Sequence, residues 1–145
     1  LIYLVSAAAL TPDAEPQSLC VFGLRQLHRV SLRARGIHSL KVNYIEKDHQ
    51  TETRRKGTVE ALKIAIEARP MESGLSDSEE FSILGLHKDI VFFIDAGSRL
   101  PLQISGHIPG IGRVDLKLNE VRIRHGGGEK SQAGEDSEIA KERLD

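Results

Sequence analysis

Six histidines have the widest chemical repertoire in this chain, because imidazole can ligate a metal or move a proton near neutral pH. Their spacing argues against a metal. The gaps between His28, His38, His49, His87, His107 and His125 match no H-x-H or H-E-x-x-H arrangement, and the single cysteine offers no thiolate pair. His28 and His38 fall on the apolar faces of neighbouring β-prone segments. A hydrogen-bonded core histidine is the expected state there, with pairing across a sheet as the alternative. Ser98, Ser105 and Ser131 sit in no G-x-S-x-G setting. Asp95 and Glu120 form no dyad that linear spacing can establish, and Asp95 is expected to brace a turn through its own backbone. Gly106, Gly110 and Gly112 loosely imitate a phosphate loop. A strand pattern follows them, so the helix N-terminus that would face an anion is missing. Cys20 reads as a small apolar filler. No catalytic residue, metal or cofactor is expected, and an enzyme is the least favoured class.

Binding chemistry is the remaining route to function. Arg25, Arg29, Arg33 and Arg35, with Arg54, Arg55 and Lys56, could line one basic surface. Sequence-tolerant nucleic-acid sheets interleave such bases with aromatics. This chain has no Trp and two Tyr, neither within the arginine row, so a solvated strand face is expected and nucleic acid is not. The net charge of −1 likewise predicts no global attraction to polyanions. The longest apolar run, residues 1–10, is too short to cross a bilayer, so the chain is expected not to span a membrane. With no basic leader and no starting Met, that run reads better as a short helix or strand inside a larger protein than as a signal-peptide remnant.

The elements that would position such groups are mostly strands. Residues 90–94 form an apolar β-prone run that stops at Asp95-Ala96-Gly97-Ser98, where Gly97 can take a positive φ. Pro101 opens the next run, and Pro109-Gly110 turns the chain into residues 114–121. Residues 27–35 alternate, with His28, Val30, Leu32 and Ala34 on one face. Leu40, Val42 and Tyr44 continue that face beyond Gly36, as consecutive strands or one strand bent there. Arg54-Arg55-Lys56-Gly57 is placed at a hairpin end, and Leu62, Ile64, Ile66 and Ala68 alternate as a strand in preference to a helix. Residues 19–22 and 81–86 read as short strands, and residues 72–80 as an acidic, Ser-rich loop. A phase slip at Asn119-Glu120 marks a bulge or the point where the last strand leaves the sheet.

These observations predict a mainly β fold with about seven or eight strands and little helix. The expected form is a strongly curved antiparallel sheet, an open or half β-barrel, with a sandwich as the alternative. Residues 1–125 form the single β domain, while residues 126–145 are a Gly-rich tail expected to be disordered, with six acids and three bases. Ile90, Phe92 and Ile94 face one way while Val91 and Phe93 face the other, so this strand is expected to be buried on both sides. Such a sheet could enclose ordinary core or an apolar, lipid-sized cavity. The candidate wall is Val30, Leu32, Leu40, Val42, Leu62, Ile64, Ile66, Phe92, Ile104, Val114 and Leu116.

The block IVFFIDAGSRLPLQISGHIPGIGRVDLKL resembles the C-terminal signature of a bacterial envelope family known as domain of unknown function 3108. The matching residues are Phe92, Phe93, Asp95, Arg99, Leu100, Pro101, Gly112, Val114 and Leu118. The resemblance implies the later part of a longer exported, periplasmic protein, and no catalytic residues. The strand pair is also similar to that of periplasmic lipoprotein carriers, whose half-barrels hold acyl chains. Two functions are expected on these grounds. The first is a non-enzymatic envelope protein binding a lipid-like or other apolar small molecule. The second is an interaction module that pairs exposed sheet edges with an envelope partner.

Overall fold

The computed structural model describes residues 1–8, 10–23, 26–71 and 81–124, apart from the side chain at position 3. The Ser-rich segment at 72–80 and the Gly-rich tail lie outside them. One helix, α1 (Ile2–Ala7), precedes seven strands: β1 (Gln17–Phe22), β2 (Leu27–Lys47), β3 (Glu52–Pro70), β4 (Lys88–Asp95), β5 (Pro101–Ile108), β6 (Gly112–Lys117) and β7 (Glu120–Arg122). The sheet runs in the order β1-β2-β3-β4-β5-β6, and every ladder along that path is antiparallel. The mainly β, antiparallel character is therefore as expected. Residues 81–86 contribute an isolated Ile83–Leu86 bridge rather than a strand.

The sheet is neither closed nor strongly curled, which corrects the expected half-barrel. Strand lengths supply the reason. β2 and β3 have 21 and 19 residues, whereas β4 pairs β3 only over Ala61–Ile66. The remainder of β2–β3 projects as an arm whose only further ladder among the described residues is the three-residue β7 at Ile45–Lys47, too short to bend it into a wall. β1 and β6 share no ladder among the described residues.

The hairpin end also lies elsewhere than expected. Arg54 to Gly57 belong to β3, and the reversal is made at Asp48–Thr51, where the Asp48 amide donates to the Thr51 carbonyl at 2.9 Å. The β4–β5 turn uses Asp95 as expected, its Oδ1 accepting from the amides of Gly97 (2.9 Å) and Ser98 (2.6 Å). Its positive φ falls on Arg99 (64°), not on Gly97. Gly110, at φ 79°, makes the β5–β6 turn.

One face of the sheet carries the core. Val30, Leu32, Leu62, Ile64, Ile66, Ile90, Phe92, Ile94 and Ile104 pack there against Ile83 and Leu86, beneath Val5 of α1 and Leu10. A six-residue helix without a side-chain cap is not stable by itself in water. Burial of Val5 anchors it, and Arg99 ties down its C-terminal end. The guanidinium donates to the carbonyls of Ser6 (3.3 Å), Leu10 (3.3 Å) and Ala8. A cation at this end also opposes the partial negative charge of the helix C-terminus.

Candidate functional site

The site begins with one surplus residue in β2. Ala34 pairs with Ile64 and Ile37 with Leu62, so β2 advances three positions while β3 advances two. Gly36 permits this bulge by adopting φ 91°. Because side chains alternate, the slip exchanges the faces of everything beyond it. Val30 and Leu32, opposite Ala68 and Ile66, share the core face. Leu40 and Val42, opposite Val59 and Gly57, lie on the other face. The continuous apolar face expected across Gly36 is thus split in two.

The eleven wall residues divide accordingly. Val30, Leu32, Leu62, Ile64, Ile66, Phe92 and Ile104 are members of one packed core, and Val114 packs partly buried against it. Leu116 is 36% exposed. Leu40 and Val42 leave that group and line a groove of about 550 Å³ between the arm and the β5–β6 hairpin. That volume lies within the roughly 300–1,000 Å³ usual for small-molecule sites.

The groove has an apolar component of Leu40, Val42, Leu102 and Leu118. Its polar lining among the described residues is Lys41, Asn43, Tyr44, Lys56, Thr58, Gln103 and Lys117, together with the Gly57 backbone. Gly57 lies opposite Val42 in the β2–β3 ladder, where a larger residue would add a side chain to the groove face. The Gln103 side-chain amide donates to Ser105 Oγ at 2.9 Å, and both residues are buried. Burial raises the Tyr44 pKa, with further upward contributions from Glu46 and Asp95 and an opposing one from Arg55. Tyr44 therefore offers a protonated hydroxyl through neutral pH.

A short clasp joins the two sides of the groove. The Leu118 amide donates to the Leu102 carbonyl on β5 at 2.8 Å, while the next carbonyl, of Asn119, accepts from the Ile45 amide on β2 at 2.9 Å. β7 then runs parallel to β2, pairing Glu120–Arg122 with Ile45–Lys47. Glu120 bridges Lys47 Nζ at 2.9 Å and Arg122 Nε at 3.2 Å. These contacts lower the Glu120 pKa, and hydrogen bonding to Glu120 raises that of Lys47. The phase slip at Asn119-Glu120 is thus the departure of the chain from one strand neighbour to another.

The histidines do not converge. His28 is buried against Phe81, ring centroids 5.4 Å apart, whereas His38 is exposed and meets the Phe93 ring edge-on at 6.4 Å. Among the described residues, no group of three or more His, Cys, Asp or Glu comes together to hold a metal. No described helix is long and apolar enough to cross a membrane. The sequence reading missed Lys41, Lys117, Gln103 and Leu118, and named Lys56 only within a basic surface; the signal available was the Gly36 interruption, which can reverse the facing of the later residues of β2. No protein-family model, curated protein or solved structure matches the chain.

Proposed function

We propose that this chain is a non-enzymatic binding protein that takes an apolar, lipid-like small molecule into the groove between the β2–β3 arm and the β5–β6 hairpin. The observation carrying this reading is the groove itself. It combines Leu40, Val42, Leu102 and Leu118 with a few polar groups whose orientation is fixed, such as Gln103 on Ser105. An exported, envelope location is part of the proposal and rests on the resemblance of the Asp95–Leu118 block described above.

Titration with a fluorescent fatty-acyl probe, paired with native mass spectrometry, tests the reading. One probe per chain is expected, and Val42→Trp should abolish uptake by filling the groove while leaving the circular-dichroism spectrum unchanged. Absence of uptake by the native chain overturns the proposal.

A second reading has its own support. The outer edge of β2 from residue 33 to 44 carries no ladder among the described residues. Large apolar side chains stand exposed along or near the sheet edges, including Phe22 (70%), Ile37 (44%) and Ile111 (73%). An envelope protein partner adding a strand at such an edge would use main-chain hydrogen bonds for affinity and these side chains for selection. Chemical crosslinking with this chain at high concentration and in envelope extract tests it; monomers and no crosslinked partner overturn it.

A further inference from the structure

We infer that β2 takes an extended acidic peptide as an added strand along residues 37–44, an inference that deepens the second reading above and rests on it. β3 occupies one edge of β2. The other edge is shared. β1 pairs there with Leu27–Leu32 and β7 with Ile45–Lys47, leaving a slot at 33–44 that no described strand fills. The bulge at Gly36 interrupts pairing near one end. Residues 37–44 remain, about 27 Å of regular strand, enough for a partner segment of about eight residues.

Two bonds fix which main-chain groups the slot offers. The Asp48 amide donates to the Thr51 carbonyl across the hairpin, so the even-numbered residues of this stretch bond β3. The Ile45 amide and the Lys47 carbonyl bond the segment of β7, so the odd-numbered ones point the other way. A period of two then turns the N–H and C=O groups of Ile37, Ser39, Lys41 and Asn43 into the slot. Side chains supply the selection. Leu40 and Val42, beside Val59 and Gly57, form an apolar face. The opposite face carries Ser39, Lys41 and Asn43, across from Glu60, Thr58 and Lys56. Residues 33–44 also include Arg33 and Arg35 and contain no acid. A partner strand that alternates apolar and acidic residues matches both faces at once. A second copy of this chain fits worse, since antiparallel edge pairing would bring the two Lys41 faces together.

The test uses the full chain and three fluorescently labelled peptides of about eight residues. One alternates Val and Glu, one alternates Val and Lys, and one is the Val–Glu peptide N-methylated throughout. Anisotropy titration at low salt should give the Val–Glu peptide about tenfold tighter than Val–Lys, from two attractive contacts against two repulsive ones at roughly twofold each. The preference should shrink as salt is raised. Lys41→Glu combined with Lys56→Glu should invert it. Ser39→Pro removes an edge-facing N–H but no ladder bond to β3, and should abolish binding. Amide exchange at Ile37, Ser39, Lys41 and Asn43, fast in the free chain, should slow when the Val–Glu peptide is added. Equal binding of Val–Glu and Val–Lys overturns the acidic class and leaves edge pairing standing. Binding of the N-methylated peptide overturns strand addition. Protection of those four amides in the free chain, or failure of both unmethylated peptides, overturns the slot, while crosslinking still decides the second reading.

Discussion

Replacing Arg99 tests how this fold keeps its only described helix. Arg99 spends one cation on three carbonyls at the end of α1, two of them at 3.3 Å. Charge-assisted bonds contribute about 1.5–3 kcal/mol at best, and bonds of this length and partial exposure contribute less. Arg99→Ala should therefore cost about 2 kcal/mol. Arg99 also sits at φ 64°, a conformation that penalises any Cβ by roughly 1 kcal/mol. Arg99→Gly loses the same bonds but sheds that strain, so it should be about 1 kcal/mol less destabilising than Arg99→Ala. Arg99→Lys keeps the charge and loses the fork, and should fall between wild type and Ala.

Coupling is the sharper readout. Val5 is fully buried and stays so only while α1 is docked. In an Arg99→Ala background, Val5→Ala should cost at least 1 kcal/mol less than in the native chain, because the helix is already partly released. Urea unfolding followed by fluorescence of a bound hydrophobic dye, or by far-ultraviolet circular dichroism, gives all four corners of the cycle. An unchanged urea midpoint for Arg99→Ala, or strict additivity with Val5→Ala, would refute the account.

Three further outcomes are expected. Phe92, fully buried at the centre of the core, should cost about 3–5 kcal/mol on replacement by Ala, read from the urea midpoint. His28 is 4% exposed and neither ring nitrogen has a hydrogen-bond partner among the described residues, so His28→Leu should raise stability by about 1 kcal/mol; a fall would show that the imidazole has a use in the fold. The clasp should depend on pH at both ends of the range. Glu120, with its pKa lowered, contributes above the ordinary carboxylate range and loses that contribution as pH falls through its folded value. Lys47, with its pKa raised, contributes below the ordinary lysine range and loses it as pH rises through its folded value. Corrected hydrogen-exchange protection at Ile45 and Ile123 should therefore drop in acid before that of Phe92, and Glu120→Gln should remove the acid step.

The alternation of Val30 and Leu32, the turn at Asp95 and the Pro-started β5 were legible because each is a local rule acting over a few residues. The groove was not. Its existence depends on whether the residues around Gly36 insert an even or an odd offset, and a period-2 pattern looks the same on both sides of that interruption. The role of Arg99 was hidden for a different reason, since its acceptors are carbonyls about ninety residues earlier, which any side chains could carry. The parallel β7 pairing was hidden likewise: three residues meet a partner strand some seventy-five positions away. The missing half-barrel follows from mismatched strand lengths, which hydrophobic pattern alone does not encode.

The surplus residue between Ala34 and Ile37 makes this protein's surface a matter of parity. Shortening that stretch by one amino acid would return Leu40 and Val42 to the side of Val30 and send Lys41 and Asn43 to the opposite face, without altering any chemical group. Shortening it by two would restore the present facing with a displaced ladder. Length variants here should consequently alternate between competent and incompetent chains, so that the arm inherits its orientation from a count rather than from a composition.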